Sequence, residues 1–311
     1  MAEVFMKSPG GVLCSGNMVY DTLARPVEGF RFGATTIVDT IEHHLGGNGA
    51  LTCLTLAALG VRTRLLAGVG RDPASSFVLE TLRGVGVDLS GIQVVDAPTS
   101  ATVAIVNAAG DRAFLHRPGA STKVFGAPIE FTPERLDGMA HYHMASPFVV
   151  PLQRPHMAET LVRARAAGLT TSLDTNWDSA GRWMEDLAPT LPHLDILFAN
   201  EDEARMITGH AEPANSAACL LSRGVRVAVL KLGCRGCAIY TAGTELLCPA
   251  FEVEGRDSTG AGDCFAGAFL AGLAAGATLE EAGRIANAVG ALTVEEVGGD
   301  TGVLRLAGML N

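Results

Sequence analysis

The sequence predicts an α/β fold with a mostly parallel sheet, and three observations point to it. Apolar runs of strand length alternate with longer helical patterns along most of the chain. Two stretches, residues 33–44 and 101–116, break the alternation. Both read as alternating or β-branched strands with no helix between Thr99 and His116, which predicts a small separate sheet. Composition agrees: 48% of the 311 residues are apolar, enough for a large buried core, and 37 glycines against 5% aromatics suit many tight turns and close backbone approaches.

Taken in order, residues 12–15 read as a strand, 50–59 as a helix, 64–69 as a strand and 74–83 as a helix. In the second half, strands are expected at 141–145, 169–174, 196–199 and 226–230, and helices at 155–167, 201–208 and 214–223. Residues 227–240 read as strand, turn, strand. Residues 251–257 are strand-like and 259–262 a turn, followed by helices at 263–275 and 279–294. Small residues dominate both of these helices, so each must pack closely on something. No fixed-period repeat, low-complexity tract or Pro/Gly/Ser linker divides the chain. Residues 1–311 are therefore expected to form one α/β domain, with residues 17–46 and 99–120 forming the β appendage inserted in it.

Charge and composition exclude several classes of function. With 23 basic against 33 acidic residues and a net charge of −10, the electrostatic footprint of a general nucleic-acid binder is missing. The longest apolar stretches, 50–61 and 264–277, fall short of the roughly 20 residues that span a bilayer. Residues 1–9 carry charges and a proline where a signal peptide needs apolar residues, so a cytoplasmic protein without membrane contact is expected. The seven cysteines are scattered and odd in number, which favours reduced thiols. Cys234 and Cys237 have metal-like spacing but no second pair to complete a zinc set. His43-His44 and His141-Tyr142-His143 have no acidic or cysteine partners in step with them and read as structural.

The segment that carries chemistry is Gly260-Ala261-Gly262-Asp263. Small residues between a strand and a helix let backbone N–H groups converge, and the helix dipole adds positive potential, which makes an anion hole. A carboxylate in the first helical turn faces the same pocket and can accept a proton from an attacking hydroxyl. The same residues also read as a tight turn with a favourable helix-start acid.

Asp257-Ser258-Thr259-Gly260-Ala261-Gly262-Asp263-Cys264-Phe265-Ala266-Gly267-Ala268 resembles the C-terminal signature of the ribokinase (PfkB) family of carbohydrate kinases. Four further elements fall in family order: Gly46-Gly47-Asn48-Gly49-Ala50, Gly68-Val69-Gly70-Arg71-Asp72 with Gly86-Val87-Asp88, Asn200-Glu201-Asp202-Glu203, and Lys231-Leu232-Gly233-Cys234-Arg235-Gly236. The resemblance implies a ribokinase-like three-layer α/β/α domain with a β-sheet lid, acting as an ATP-dependent kinase on a hydroxymethyl group of a small sugar or sugar-like alcohol. It makes Asp263 the catalytic base and Gly260, Ala261 and Gly262 the anion hole. Asp21, Gly46, Gly47 and Asn48 would hold the sugar. Asn176, Asn200, Lys231, Gly233, Gly236 and Asn287 would contact ATP, Glu203 would hold Mg2+ through water, and Asp257 and Ser258 would contribute to a monovalent-cation (K+) site. It also leaves room for a homodimer through the lid. Asn200 and Glu203 equally read as a helix cap with its partner three residues on, and Asn48 as a cap of the helix that follows.

The chain departs from the family pattern in two places. Leu51 stands where many members place an asparagine, which removes one sugar contact. Asp178 replaces an arginine that often follows the segment Asp174-Thr175-Asn176. Rival readings are a nucleoside kinase of the same fold, for which the appendage offers Phe114 and little other aromatic surface, and a sugar-phosphate kinase, for which it offers Arg112 and Arg117. From another class comes an NAD-dependent dehydrogenase, since Gly68, Gly70 and Pro73 imitate its glycine fingerprint with proline in the third place.

Overall fold

Neighbouring residues of the central strands bury on opposite faces of one sheet, and this alternation builds the molecule. The structure, a computed structural model, describes residues 10–310; residues 1–9, read above as lacking a signal's apolar stretch, lie outside the described residues. In chain order come β1 (Gly11–Ser15), β2 (Val19–Arg25), β3 (Thr40–Gly46), α1 (Asn48–Ala58), β4 (Thr63–Val69), α2 (Pro73–Gly84), β5 (Ile92–Val94), β6 (Ala101–Val106) and β7 (Arg112–Arg117). Next are α3 (Pro133–Leu136), β8 (Met139–Ala145), α4 (Met157–Ala166), β9 (Thr170–Asp174), α5 (Trp183–Leu187), β10 (Ile196–Asn200), α6 (Glu201–Thr208) and α7 (Pro213–Ser222). The chain continues with β11 (Val227–Lys231), β12 (Cys237–Thr241), β13 (Thr244–Cys248), α8 (Ala261–Ala274), α9 (Leu279–Val294) and α10 (Thr301–Leu310).

Nine strands form one sheet in the order β13-β12-β11-β10-β9-β8-β1-β4-β5. All neighbours are parallel except the β11–β12–β13 edge. Val12, Cys14, Phe198 and Val229 face a core completed by α1, α8 and α9, whereas Leu13, Leu197, Ala228 and Leu230 face a second core completed by α4, α6 and α7. Two apolar layers on one sheet give the three-layer arrangement. The small residues of α8 do pack closely. A Cβ on Gly267 would meet the Thr52 carbonyl at 2.7 Å, and one on Gly272 would meet Ala282 at 3.1 Å. No helix among the described residues is long and apolar enough to cross a membrane.

The appendage is a second sheet of order β3-β2-β6-β7. Its register sets Asp21 opposite His44 on one side and Thr102 on the other, and Thr102 opposite His116. Cross-strand partners share a face, so Asp21, His44, Thr102 and His116 look one way while Ile41, Val103 and Leu115 look the other.

Four local expectations need correction. Residues 33–39 carry β-branched residues but are not strand; β3 begins only at Thr40, and its partner is β2. Residues 251–257 are not strand either, because the sheet edge is taken by β13, a hairpin partner of β12 across Ala242-Gly243. In both places strand propensity found no ladder to join. Ala261 and Gly262 belong to the first turn of α8 instead of a preceding turn. A helix at 155–167 starts late, at Met157, after a short 3-10 turn over Arg154–His156.

Candidate active site

Three adjacent parallel strands end in polar residues side by side: β9 in Asp174, β10 in Asn200 and β11 in Lys231. Carboxyl ends of parallel strands are where open α/β sheets bind ligands. The Lys231 ammonium donates to both oxygens of Asp174, at 2.7 and 3.0 Å. Burial pushes the Lys231 amine down, but the charges of Asp174 and Glu203 outweigh burial and hold it above its ordinary value.

Against this row stands the N-terminus of α8. Gly260 is its N-cap at φ 73, and a Cβ there would strike the Leu51 side chain at 2.4 Å, so both backbone shape and space require glycine. A glycine cap has no side chain to satisfy the first helical N–H groups; the Ala261 N–H donates to the Ser258 carbonyl at 3.3 Å and the Asp263 N–H to the Gly260 carbonyl at 3.1 Å, which leaves the Gly262 N–H and the helix dipole for an anion. Leu51, where a sugar-binding asparagine was missed, is buried and packs on Gly260 and Gly299, behind this turn.

Asp263 sits in that first turn. Asn48, at the start of α1, donates its side-chain N–H to Asp263 Oδ1 at 2.8 Å, and Thr52 donates to the Asp263 carbonyl at 3.3 Å. Burial pushes the Asp263 carboxyl above its ordinary value, opposed by Lys231 and by the Asn48 amide. Asn48 does not cap its helix. Asn17 takes over that task, its Oδ1 accepting the Asn48 backbone N–H at 2.8 Å, a role the sequence reading did not see.

Asp21 of β2 and Gly46 of β3, both expected on the sugar side, meet across the small sheet. A Cβ on Gly46 would lie 2.0 Å from Asp21 Oδ2, so glycine makes the room this carboxylate occupies. Burial raises Asp21 to about 6, with the Thr102 hydroxyl pulling the other way. Asp21 Oδ1 is buried and has no hydrogen-bond partner, an acceptor suited to a ligand hydroxyl.

On the far side of α8's first turn lies a cavity of about 800 Å³ whose walls include Lys231, Gly233, Gly236, Ser258, Gly262 and Asn287. The volume suits a nucleotide. Residues 251–257, expected as strand, supply much of its rim. Asn287 gives its side-chain N–H groups to the carbonyls of Cys248 and Pro249, so it braces this wall. Asn176 and Asn200 are not among the walls. Asn176 keeps a buried, unpartnered Oδ1, and Asn200 forms a capping box with Glu203. Glu203 Oε2 accepts from the Asn200 backbone N–H at 3.0 Å and from the Thr175 hydroxyl at 2.9 Å. Among the described residues no three His, Cys, Asp or Glu side chains converge as a metal-binding group. That fits Mg2+, which is commonly held by one or two carboxylates, water and the nucleotide's own phosphates.

Asp257 is placed differently from its expected role. Its Oδ1 receives Arg112 of β7 at 2.7 Å and the Thr259 N–H at 2.7 Å, and its Oδ2 receives the Gly298 N–H at 3.0 Å. Asp178, the residue replacing an arginine, is itself held bidentately by Arg154, both contacts at 2.7 Å. Beside Gly70, where the dehydrogenase reading needs space for a pyrophosphate, the backbone of 97–99 fills the gap, and Asp72 caps α2. Cys234 is exposed and Cys237 buried, so their spacing builds no shared site. His141 and His143 both bond the Ser172 hydroxyl inside the sheet, as structural histidines do.

A doubly covered parallel sheet, a helix start facing an anion-sized space, a buried carboxylate in its first turn and a second small sheet form an arrangement suited to phosphoryl transfer in an α/β enzyme. Sequence comparison is specific: the profile of the pfkB family of carbohydrate kinases matches residues 11–305. The ATP-dependent ribose-1-phosphate kinase of Halopiger xanaduensis is 32% identical over 256 residues, 81% of each chain. The ribokinase of Mus musculus is 31% identical over 279 residues, 84% of this chain and 83% of its own. Among solved structures, an Escherichia coli protein described as a ribokinase II, in complex with ATP and Mg2+, superposes with a TM-score of 0.83 at 25% identity, covering 97% of this chain and 99% of its own. This chain belongs to the pfkB family of carbohydrate kinases, with the ribokinase-like fold of a nine-stranded sheet and a four-stranded lid.

Proposed function

We propose that this carbohydrate kinase transfers the γ-phosphoryl group of ATP to a hydroxymethyl group of a small, uncharged sugar or sugar-like alcohol. The contact between Asn48 and Asp263 carries the reading, because it joins the sugar side to the base at the start of α8. Asp21 accepts hydroxyls of the sugar, and Asn48 orients both sugar and base. Asp263 takes the proton of the attacking hydroxyl as the new O–P bond forms and the bond to ADP breaks. The N–H of Gly262 receives a phosphoryl oxygen. Lys231, held by Asp174, offsets its charge. Mg2+, when bound through water to Glu203, would neutralise the ATP phosphates.

The preference for an uncharged sugar rests on the lid strands' arginines, each of which is already engaged. Arg25 pairs with Glu42, Arg112 with Asp257, and Arg117 donates to the Thr99 carbonyl. A sugar 1-phosphate is the second reading, favoured by the name of the Halopiger relative. ADP release over a panel of pentoses, hexoses, their phosphates and nucleosides, with Asp263→Asn as control, decides between them. Turnover confined to phosphorylated sugars or to nucleosides rejects the first reading.

The outer lid face exposes Ile41, Val103 and Leu115 at 63%, 38% and 64%, an apolar row across three strands. We place a second copy of this chain there. Leu115→Glu should then shift the sedimentation coefficient of a dimer to that of a monomer, and a wild type that sediments as a monomer rejects the pairing. The use of ATP and the free cysteines support a cytoplasmic enzyme.

A further inference from the structure

Arg112 belongs to the lid, pairing with Val106 of β6 and lining the cavity beside α8, yet its guanidinium bonds the segment that leads into the anion-hole turn. It bonds Asp257 Oδ1 at 2.7 Å, the Thr259 hydroxyl at 3.1 Å and the Arg256 carbonyl at 3.2 Å. Asp257 is 5% exposed and the Arg112 side chain 19%, so the pair is largely shielded from water. A monovalent cation at Asp257 would need carboxylate lone pairs turned towards it. Here one oxygen receives a guanidinium and an N–H, and the other receives a second N–H. The donors present do not fit the ion, and the charge it would bring is already there.

The lid grips the opposite side of the same turn as well. Asp300 accepts His44 Nδ1 at 3.0 Å and the Leu45 N–H at 2.8 Å, both from β3. Gly298, whose N–H holds Asp257, lies so close to His44 that a Cβ would sit 2.2 Å from its ring. The lid's two outer strands therefore fasten to the two segments that frame residues 257–262.

We propose that the Arg112 guanidinium takes the place of the monovalent cation beside Asp257. The lid then delivers this charge when it closes, and turnover does not depend on K+. Arg112 is a positioning residue: it acts on the phosphoryl through Asp257 and the backbone of the turn. The proposal rests on residues 260–263 being the transfer site.

Initial rates with saturating sugar and Mg·ATP test it, with tetramethylammonium chloride exchanged for KCl at constant ionic strength. The wild-type rate should be unchanged. Arg112→Ala should lose about 10- to 100-fold in kcat, the worth of a charge-assisted hydrogen bond, and should regain rate with added K+ or guanidinium, while Arg112→Lys keeps most of it. Thermal melting gives a readout without turnover. K+ should leave the wild type and Asp263→Asn unmoved and raise the midpoint of Arg112→Ala. A wild type activated several-fold by K+ overturns the proposal. So does an Arg112→Ala protein that is fully active without K+, or one that is folded and rescued by neither cation. If Arg112→Ala does not fold, Arg112→Gln takes its place under the same criteria. An Asp263→Asn protein with normal turnover would instead remove the transfer-site assignment, and the melting experiment would still report on Arg112.

Discussion

Asp174 and Lys231 close the end of a sheet whose strands β1, β4 and β9 are buried along their whole length, whereas Asp21, His44 and Arg112 stand on a sheet whose strand β7 is exposed beyond its first residue. In the body, burial holds the charges. Folding takes Lys231 and Asp174 out of water: burial raises the Asp174 carboxyl to about 8 although Lys231 opposes it, while the carboxylates around Lys231 hold its amine above its ordinary value. In the lid, partners must be reached. His44 finds Asp300 and Arg112 finds Asp257 only by bridging to the body. One region therefore holds its charges within its own sheet, and the other holds them through contacts with the first. The lid has little apolar depth of its own, so a few polar bridges to the body help to hold it in place.

The largest effect should come from the body's base. Asp263→Asn is expected to lower kcat by about 10²–10⁴-fold while the dissociation constant of ATP stays close to wild type, since the residue moves a proton and does not hold the nucleotide. ADP formation and a nucleotide titration check both halves. A variant that turns over like wild type would place the base elsewhere.

Stability should divide the two regions just as sharply. Phe269 is fully buried in α8, edge-on to Phe198 with ring centres 5.4 Å apart. Phe269→Ala should cost about 3–5 kcal/mol in denaturant unfolding. Leu115→Ala on the exposed lid face, measured on monomeric protein, should stay within about 0.5 kcal/mol. Similar losses at both positions would mean that the lid is packed like the body.

Gly262 lies against Lys231, a Cβ there falling 3.2 Å from its ammonium. Gly262→Val should lower kcat by about 10²–10³-fold, the usual value of one donor to developing charge, with the far-UV spectrum unchanged. Loss of folded protein in step with activity would assign the glycine to packing.

Asp21 gives a smaller, pH-dependent test. Burial raises its carboxyl to about 6, so the protonated form gains as pH falls through that value. A protonated acid loses its charge and turns one oxygen into a donor, so it accepts sugar hydroxyls more weakly, and KM for the sugar should climb below pH 6 while kcat changes less. Stability should move the other way. The buried charge burdens the folded state above pH 6, and that burden fades between pH 6 and about 4. Asp21→Asn should thus melt higher than wild type at pH 7, with the gap closing on acidification. A KM flat across this range would show that Asp21 does not meet the sugar.

The smallest signal is the lid's own. Added sugar should slow amide exchange in β3, β6 and β7 more than in β9. Equal, unchanged exchange in both sheets at saturation would leave the lid fixed.

The helices and strands that could be read from sequence alone are those whose cause is local. Residues 279–294 were expected as a helix with those ends and are α9, because Thr278 and Glu281 build a capping box within four residues. Strands β10 and β11 announced themselves as short apolar runs between helical patterns. Residues 33–39 and 251–257 show the limit. Their residue types suit a strand, but a strand exists only where a neighbour offers hydrogen bonds, and the neighbours lay elsewhere. β13 was overlooked for the converse reason, since pairing with β12 makes a strand of a mostly exposed segment.

By itself the sequence determined the family, because its signatures are written in short runs of adjacent residues, while it started α8 two residues late, at Asp263. Tertiary structure alone decided which side chains meet at that helix start. Asn48 and Asp263 are 215 residues apart, Lys231 and Asp174 57, and Arg112 and Thr259 147. Spacing along the chain carries no information about contacts of that range. They exist because apolar faces of the sheet and helices bury together, and the polar ends of those elements are carried into one place.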